Sequence, residues 1–125
     1  MICITIMILL TIVSSTISAQ DLVGQSHKQV LEYWQKTVAA DQISDTEDLI
    51  RIGETIFCSF SKKVCIEFTT IISADAVAKY KEGLNANQQL RYDEKKDEWV
   101  NDAKKYVWKI TKSGDADYEV TCKKL

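Results

Sequence analysis

Between Tyr106 and Cys122 the chain alternates with period two. Tyr106, Trp108 and Ile110 are separated by Val107 and Lys109, and Tyr118, Val120 and Cys122 by Glu119 and Thr121, with Lys112-Ser113-Gly114-Asp115 between the two runs. Alternation of this kind turns one face of each strand to a core and the other to solvent, so the segment predicts a β-hairpin with an aromatic inner face. A hairpin alone is marginal in water and needs further strands, or a helix, against its apolar side. The rest of the chain must supply that cover. Its 125 residues allow one domain and exclude the large doubly wound and barrel enzymes, which need about 200 residues or more.

Three helices are expected upstream. Residues 26 to 40 carry Val30, Leu31, Trp34 and Val38 at three- and four-residue spacing, with Ser26 as cap and His27, Lys28, Glu32 and Lys36 on the other face. Ser44-Asp45-Thr46-Glu47 has the spacing of a capping box and leads to Leu49, Ile50 and Ile52, so a short second helix ending at Gly53 is predicted. The period then changes. Residues 55 to 60 and 64 to 71 are rich in β-branched and aromatic side chains and read as two strands around Ser61-Lys62-Lys63. Ser73 caps a third helix through Ala76, Val77 and Tyr80, closed by Gly83 and the Asn85/Asn87 pair. Residues 88 to 105 suit a hairpin turning at Glu94 to Asp97 better than a polar helix. The sum is an α+β fold with N-terminal helices packed on a curved antiparallel sheet, and a small β-barrel with a flanking helix is the alternative.

The N-terminus constrains location rather than fold. Met1 to Ile17 has no charge and is dominated by Ile, Leu, Met and Val, then gives way to Ser14, Ser15, Thr16, Ser18 and Ala19 before the first charge at Asp21. An apolar run of about a dozen residues is short of the ~20 needed to span a bilayer, so residues 1–19 read as a secretory signal peptide and 20–125 as a single secreted α+β domain. Removing 19 of 125 residues leaves 106, and Cys3 leaves with the signal. Secretion permits disulfides. Two pairings among the remaining three cysteines stand level: Cys65 with Cys122, whose loop of about 58 residues would restrict the unfolded chain more, and Cys58 with Cys65. Cys58 with Cys122 ranks behind them. Every pairing leaves one thiol over, either buried or available for a covalent homodimer.

Chemistry-bearing motifs are few. One histidine, His27, excludes a two-imidazole mechanism, and no G-x-S-x-G nucleophile elbow, phosphate loop, EF-hand spacing or C-x₂-C metal pattern occurs. Asp93, Glu94, Asp97 and Glu98 could in principle form a catalytic carboxylate pair but alternate with Lys95 and Lys96 as a solvated turn does. With a net charge of −2 and lysines dispersed among acids, nucleic acid is not an expected partner, and no cofactor is expected. Lys104, Lys105, Lys109, Lys112, Lys123 and Lys124 converge on the C-terminal hairpin and could form a positive patch for an anionic protein or glycan. Three Trp, five Tyr and three Phe either fill a core or line a cavity. If a cavity exists, Trp34, Tyr92, Trp99, Tyr106, Trp108 and Tyr118 are its candidate ligand-binding residues.

Small secreted families set a useful contrast. The Gln-X-Val-X-Gly loop and Pro-Trp of a cystatin are missing, as is the Gly-X-Trp of a lipocalin. The helix-then-curved-sheet order is similar to the cystatin-like and transport-factor-like roll, a likeness of fold that implies no function. The expectation is therefore a secreted, non-enzymatic binding protein. Its partner is an extracellular protein or other macromolecule, or a small amphipathic ligand, as for effectors of venom, saliva or host contact of similar size. A small hydrolase with a carboxylate pair and a disulfide-linked structural dimer are the alternatives.

Overall fold

The structure is a computed structural model and describes residues 22–125. The signal peptide assigned to residues 1–19 lies outside the described residues. Helix α1 (His27–Thr37) begins where the cap was expected: Ser26 Oγ accepts from the Gln29 amide at 3.2 Å and Gln29 Oε1 accepts from the Ser26 amide at 3.0 Å, a reciprocal capping box. Val30 and Trp34, four residues apart, are its buried face. A short 3₁₀ turn, Ala40–Gln42, follows.

Residues 43 to 52 form a hairpin and not a helix. Strands β1 (Ile43–Asp45) and β2 (Leu49–Ile52) pair antiparallel, and the Ser44-to-Glu47 signature lies at and beyond the end of β1. In its place Thr46 closes the turn, its amide and hydroxyl both donating to Leu49 O at 2.9 and 3.1 Å. Gly53, with φ +58°, serves the next turn, where the left-handed region favours glycine. The tertiary cause is β3 (Ile56–Ser61), which takes all four residues of β2 into register, Leu49 against Ser59 through Ile52 against Ile56.

Strand β4 (Val64–Ser73) returns from the Lys62-Lys63 turn and leads into α2 (Ala74–Ala86), which runs through Gly83 and stops at Asn87. Then come β5 (Arg91–Asp93), β6 (Glu98–Asn101), β7 (Tyr106–Lys112) and β8 (Asp117–Lys124), so the expected hairpins at 88–105 and at the C-terminal end are both present. All eight strands make one antiparallel sheet in the order β1-β2-β3-β4-β8-β7-β6-β5. It is open, with β1 and β5 as its edges, so the barrel alternative does not hold. Nor do the helices gather at the N-terminus: a helix followed by a four-stranded meander occurs twice, and the two units join through β4 and β8.

One lateral row explains the layering. Ile50, Cys58, Phe68, Cys122, Trp108 and Trp99 stand opposite one another on successive strands from β2 to β6, all facing the same side. Each is 4% exposed or less. Both helices cover that side: the Trp34 side chain of α1 reaches Cys58, and the Tyr80 ring of α2 lies 6.2 Å from that of Trp108. Burying side chains of this size supplies about 1.5–3 kcal/mol apiece, which makes the row the main thermodynamic reason for the fold.

Candidate functional surface

The aromatic residues proposed to line a cavity divide by place. Trp34, Trp99, Tyr106 and Trp108 belong to the core cluster; Tyr118 is half-buried opposite Ile72, and Tyr92 is exposed on edge strand β5. Three of their polar atoms serve the fold. The Trp99 indole donates to Asn85 Oδ1 of α2 at 2.8 Å, the Tyr92 hydroxyl donates to Asp97 at 2.6 Å, and Asn101 Nδ2 donates to the Tyr106 hydroxyl at 3.3 Å. The indole N–H groups of Trp34 and Trp108 are buried without a hydrogen-bond partner among the described residues.

The three described cysteines are free thiols, each fully buried and none at disulfide distance from another. Cys58 and Cys65 do not face each other as a turn at Ser61-Lys62 would require. The turn lies at Lys62-Lys63 and β4 bulges at Ile66, so Phe60 opposes Cys65 and Cys58 opposes Phe68. Cys122 opposes Phe68 from the other side, which puts Cys58 and Cys122 two strands, or about 10 Å, apart. That exceeds the ~7 Å limit for bridged Cα atoms. Cys65 is three residues out of register with Cys122 and within hydrogen-bonding reach of Cys58. Its hydrogen bond to Cys58 holds it protonated and favours ionisation of Cys58, and burial pushes Cys122 up.

His27 does more than begin a helix. Its Nε2 lies 2.7 Å from Asp45 Oδ1 and 3.0 Å from Thr46 O, both acceptors, and its ring packs 4.8 Å from that of Phe60, so it ties α1 to β1 and β3. The four carboxylates considered for catalysis belong to the β5–β6 hairpin. Asp93 accepts from the amides of Lys95 and Lys96, Asp97 from Tyr92, and Glu98 pairs with Lys109 at 3.7 Å. Among the described residues no cluster of three His, Cys, Asp or Glu could hold a metal ion, and no helix is long and apolar enough to cross a membrane.

Both ends of the strands carry both signs of charge, but lysines gather at one of them, where Glu47, Asp48 and Asp102 also lie. Strand pairing brings the β3–β4 turn, the end of β8 and the β6–β7 turn to one end of the sheet, and with them Lys62, Lys63, Lys123, Lys124, Lys104 and Lys105, all exposed. Lys112 lies at the opposite end and Lys109 on the helix-free face beside Glu98, so neither belongs with the cluster that sequence proximity suggested. The far end carries Glu54, Asp75, Glu94, Asp97, Asp115 and Asp117 against Lys95, Lys96 and Lys112.

The backbone at the basic end is built in an uncommon way. Four non-glycine residues have positive φ, and three are lysines of this end: Lys62 at 52°, Lys63 at 64° and Lys105 at 60°. A two-residue hairpin with positive φ at both centres ordinarily takes Asn-Gly, and an L-residue there is disfavoured by about 1 kcal/mol. The turns are nonetheless fixed. Lys63 O accepts from the His27 amide at 2.9 Å, Lys105 O from the Leu125 amide at 2.9 Å, and buried Asn101 holds the Lys104 and Lys105 amides at 2.9 and 2.8 Å through its side-chain and backbone oxygens. Beside this end Arg91 grips Asp102 through two hydrogen bonds of 2.9 and 3.1 Å, which holds the Asp102 carboxyl below the usual carboxylate range.

No known protein family, curated protein or solved structure matches this chain.

Proposed function

We propose that the chain is a secreted, non-enzymatic binding protein whose partner is an extracellular macromolecule met at the surface. One observation carries this reading: the large aromatic side chains are used to fill the core beneath the helices, while charge is concentrated at the exposed ends of the strands. A molecule so divided offers a macromolecule more to hold than it offers a small amphipathic ligand. The likeness to the cystatin-like roll is one of layering alone and brings no inhibitory loop with it. A covalent homodimer is disfavoured, because Cys58, Cys65 and Cys122 all have no exposure and would need local opening to reach a second chain.

The test begins with secretion. Expressed with its own N-terminus in a secreting eukaryotic cell, the protein should appear in the medium with Gln20 first by N-terminal sequencing. Labelled mature protein should then bind cell surfaces or matrix saturably, and a panel of lipids and biogenic amines should leave the fluorescence of Trp34, Trp99 and Trp108 unchanged. Retention inside the cell, or a saturable fluorescence change with a small ligand and no surface binding, would overturn the reading.

A further inference from the structure

We infer that the lysine-bearing end of the sheet is a docking track for a linear sulfated polysaccharide. This rests on the surface-binding reading above and names the partner's chemistry. Lys62, Lys63, Lys105, Lys123 and Lys124 are contributed by three segments far apart in sequence and form no ion pair with another described residue. From the β3–β4 turn to the β6–β7 turn is about three inter-strand spacings, or some 14 Å, so the three lysine-bearing segments stand in a row along the end of the sheet, with Lys123 and Lys124 on its opposite faces. A row of like charges fits an extended polyanion better than a compact one.

The acids nearby bound the track and do not cancel it. Glu67 faces Lys123 across β4 and β8, Asp102 is held by Arg91, and Glu47 and Asp48 flank the track at the adjoining β1–β2 turn, where Asp48 O accepts from the Phe60 amide at 2.9 Å. The choice of residue argues for contact with a partner. At Lys62, Lys63 and Lys105 the backbone adopts the left-handed region, where glycine or asparagine would fold at lower cost, yet lysine stands at all three. Lysine presents a compact, mobile point charge, suited to sulfate groups at variable spacing, whereas rigid bidentate recognition would call for arginine. These turns carry no exposed aromatic ring of the kind on which nucleic-acid bases stack.

The probe is heparin, titrated into mature wild-type protein at several salt concentrations, with Lys62→Gln/Lys63→Gln and Lys123→Gln/Lys124→Gln as test variants. Lys95→Gln/Lys96→Gln, at the opposite end, is the control that removes the same charge. The expected result is heparin binding that weakens steeply with salt, falls about tenfold in each test variant and stays within twofold in the control. All six positions are exposed, so melting temperatures report whether each variant is folded. No heparin binding, or equal loss in all three variants, overturns the track. Tighter binding to poly-glutamate or to phosphatidylserine vesicles than to heparin also overturns the glycan as partner. Heparinase treatment of cells separates the two proposals. Surface binding that survives it contradicts the glycan and leaves the general reading standing, and its absence from untreated cells contradicts that reading itself.

Discussion

The row beneath the helices and the lysine turns at the end of the sheet obey opposite rules. From Ile50 to Trp99 the row is buried, opposed strand by strand and covered by Trp34 and Tyr80, so each side chain is where burial favours it. At Lys62, Lys63 and Lys105 the side chains are exposed and the backbone adopts a disfavoured conformation. The difference teaches where to look for function in this fold. Residues that local and tertiary energetics both favour are explained by stability, whereas exposed residues that the backbone disfavours call for a second reason.

The largest effect is expected at Trp108. With no exposure and neighbours Cys122, Trp99, Tyr80 and Phe68, it should lose about 3–5 kcal/mol on Trp108→Ala, read as a lower denaturation midpoint in urea. A loss below 1 kcal/mol would mean that the row is not the core. The thiols come next. Mature secreted protein, unfolded and alkylated without reduction and then mapped by mass spectrometry, should carry the label on Cys58, Cys65 and Cys122, and a bridge between any two of them would contradict the geometry of the row. A bond from Cys65 to Cys58 would stabilise by about 2.5 kcal/mol on chain entropy alone and one to Cys122 by about 4. Either bond requires the β4 bulge to move, because the thiols as they stand are not at disulfide distance.

Asn101 connects the two regions, being buried itself while bracing the Lys104-Lys105 turn. Asn101→Ala removes the acceptor of the Lys104 amide and the donor to the Tyr106 hydroxyl and should cost about 1–3 kcal/mol, with hydrogen exchange faster at Lys104 than at Lys63. The smallest effect is electrostatic. Asp102 has its folded-state pKa depressed by Arg91, so the pair's contribution is present above the unfolded carboxylate pKa and is lost as pH falls through the lower folded value. Arg91→Ala should move the Asp102 titration upward by NMR and flatten the stability profile below about pH 4.

Legibility in the sequence followed the locality of the cause. The hairpins of β3–β4 and β7–β8 and the cap at Ser26 are set by neighbours within a few residues, and period and composition report them. Residues 43 to 52 were misleading because Ser44 and Glu47 sit at capping-box spacing and β2 is only four residues long; its strand state depends on β3. The lysine end was half legible. Lys104, Lys105, Lys123 and Lys124 are near one another in sequence, but Lys62 and Lys63 join them through the pairing of β4 with β8, which no local pattern encodes. The same pairing sends Lys112 to the opposite end.

The contrast between core and basic end is tested most directly at the β3–β4 turn, by replacing Lys62-Lys63 with Asn-Gly and measuring melting temperature and heparin affinity on the same protein. Relief of the left-handed backbone should add about 0.5–1 kcal/mol of stability, a melting temperature several degrees higher, while affinity falls about tenfold. A variant that is no more stable and binds heparin as well as the wild type would contradict both the strain assigned to these lysines and the role assigned to their charge.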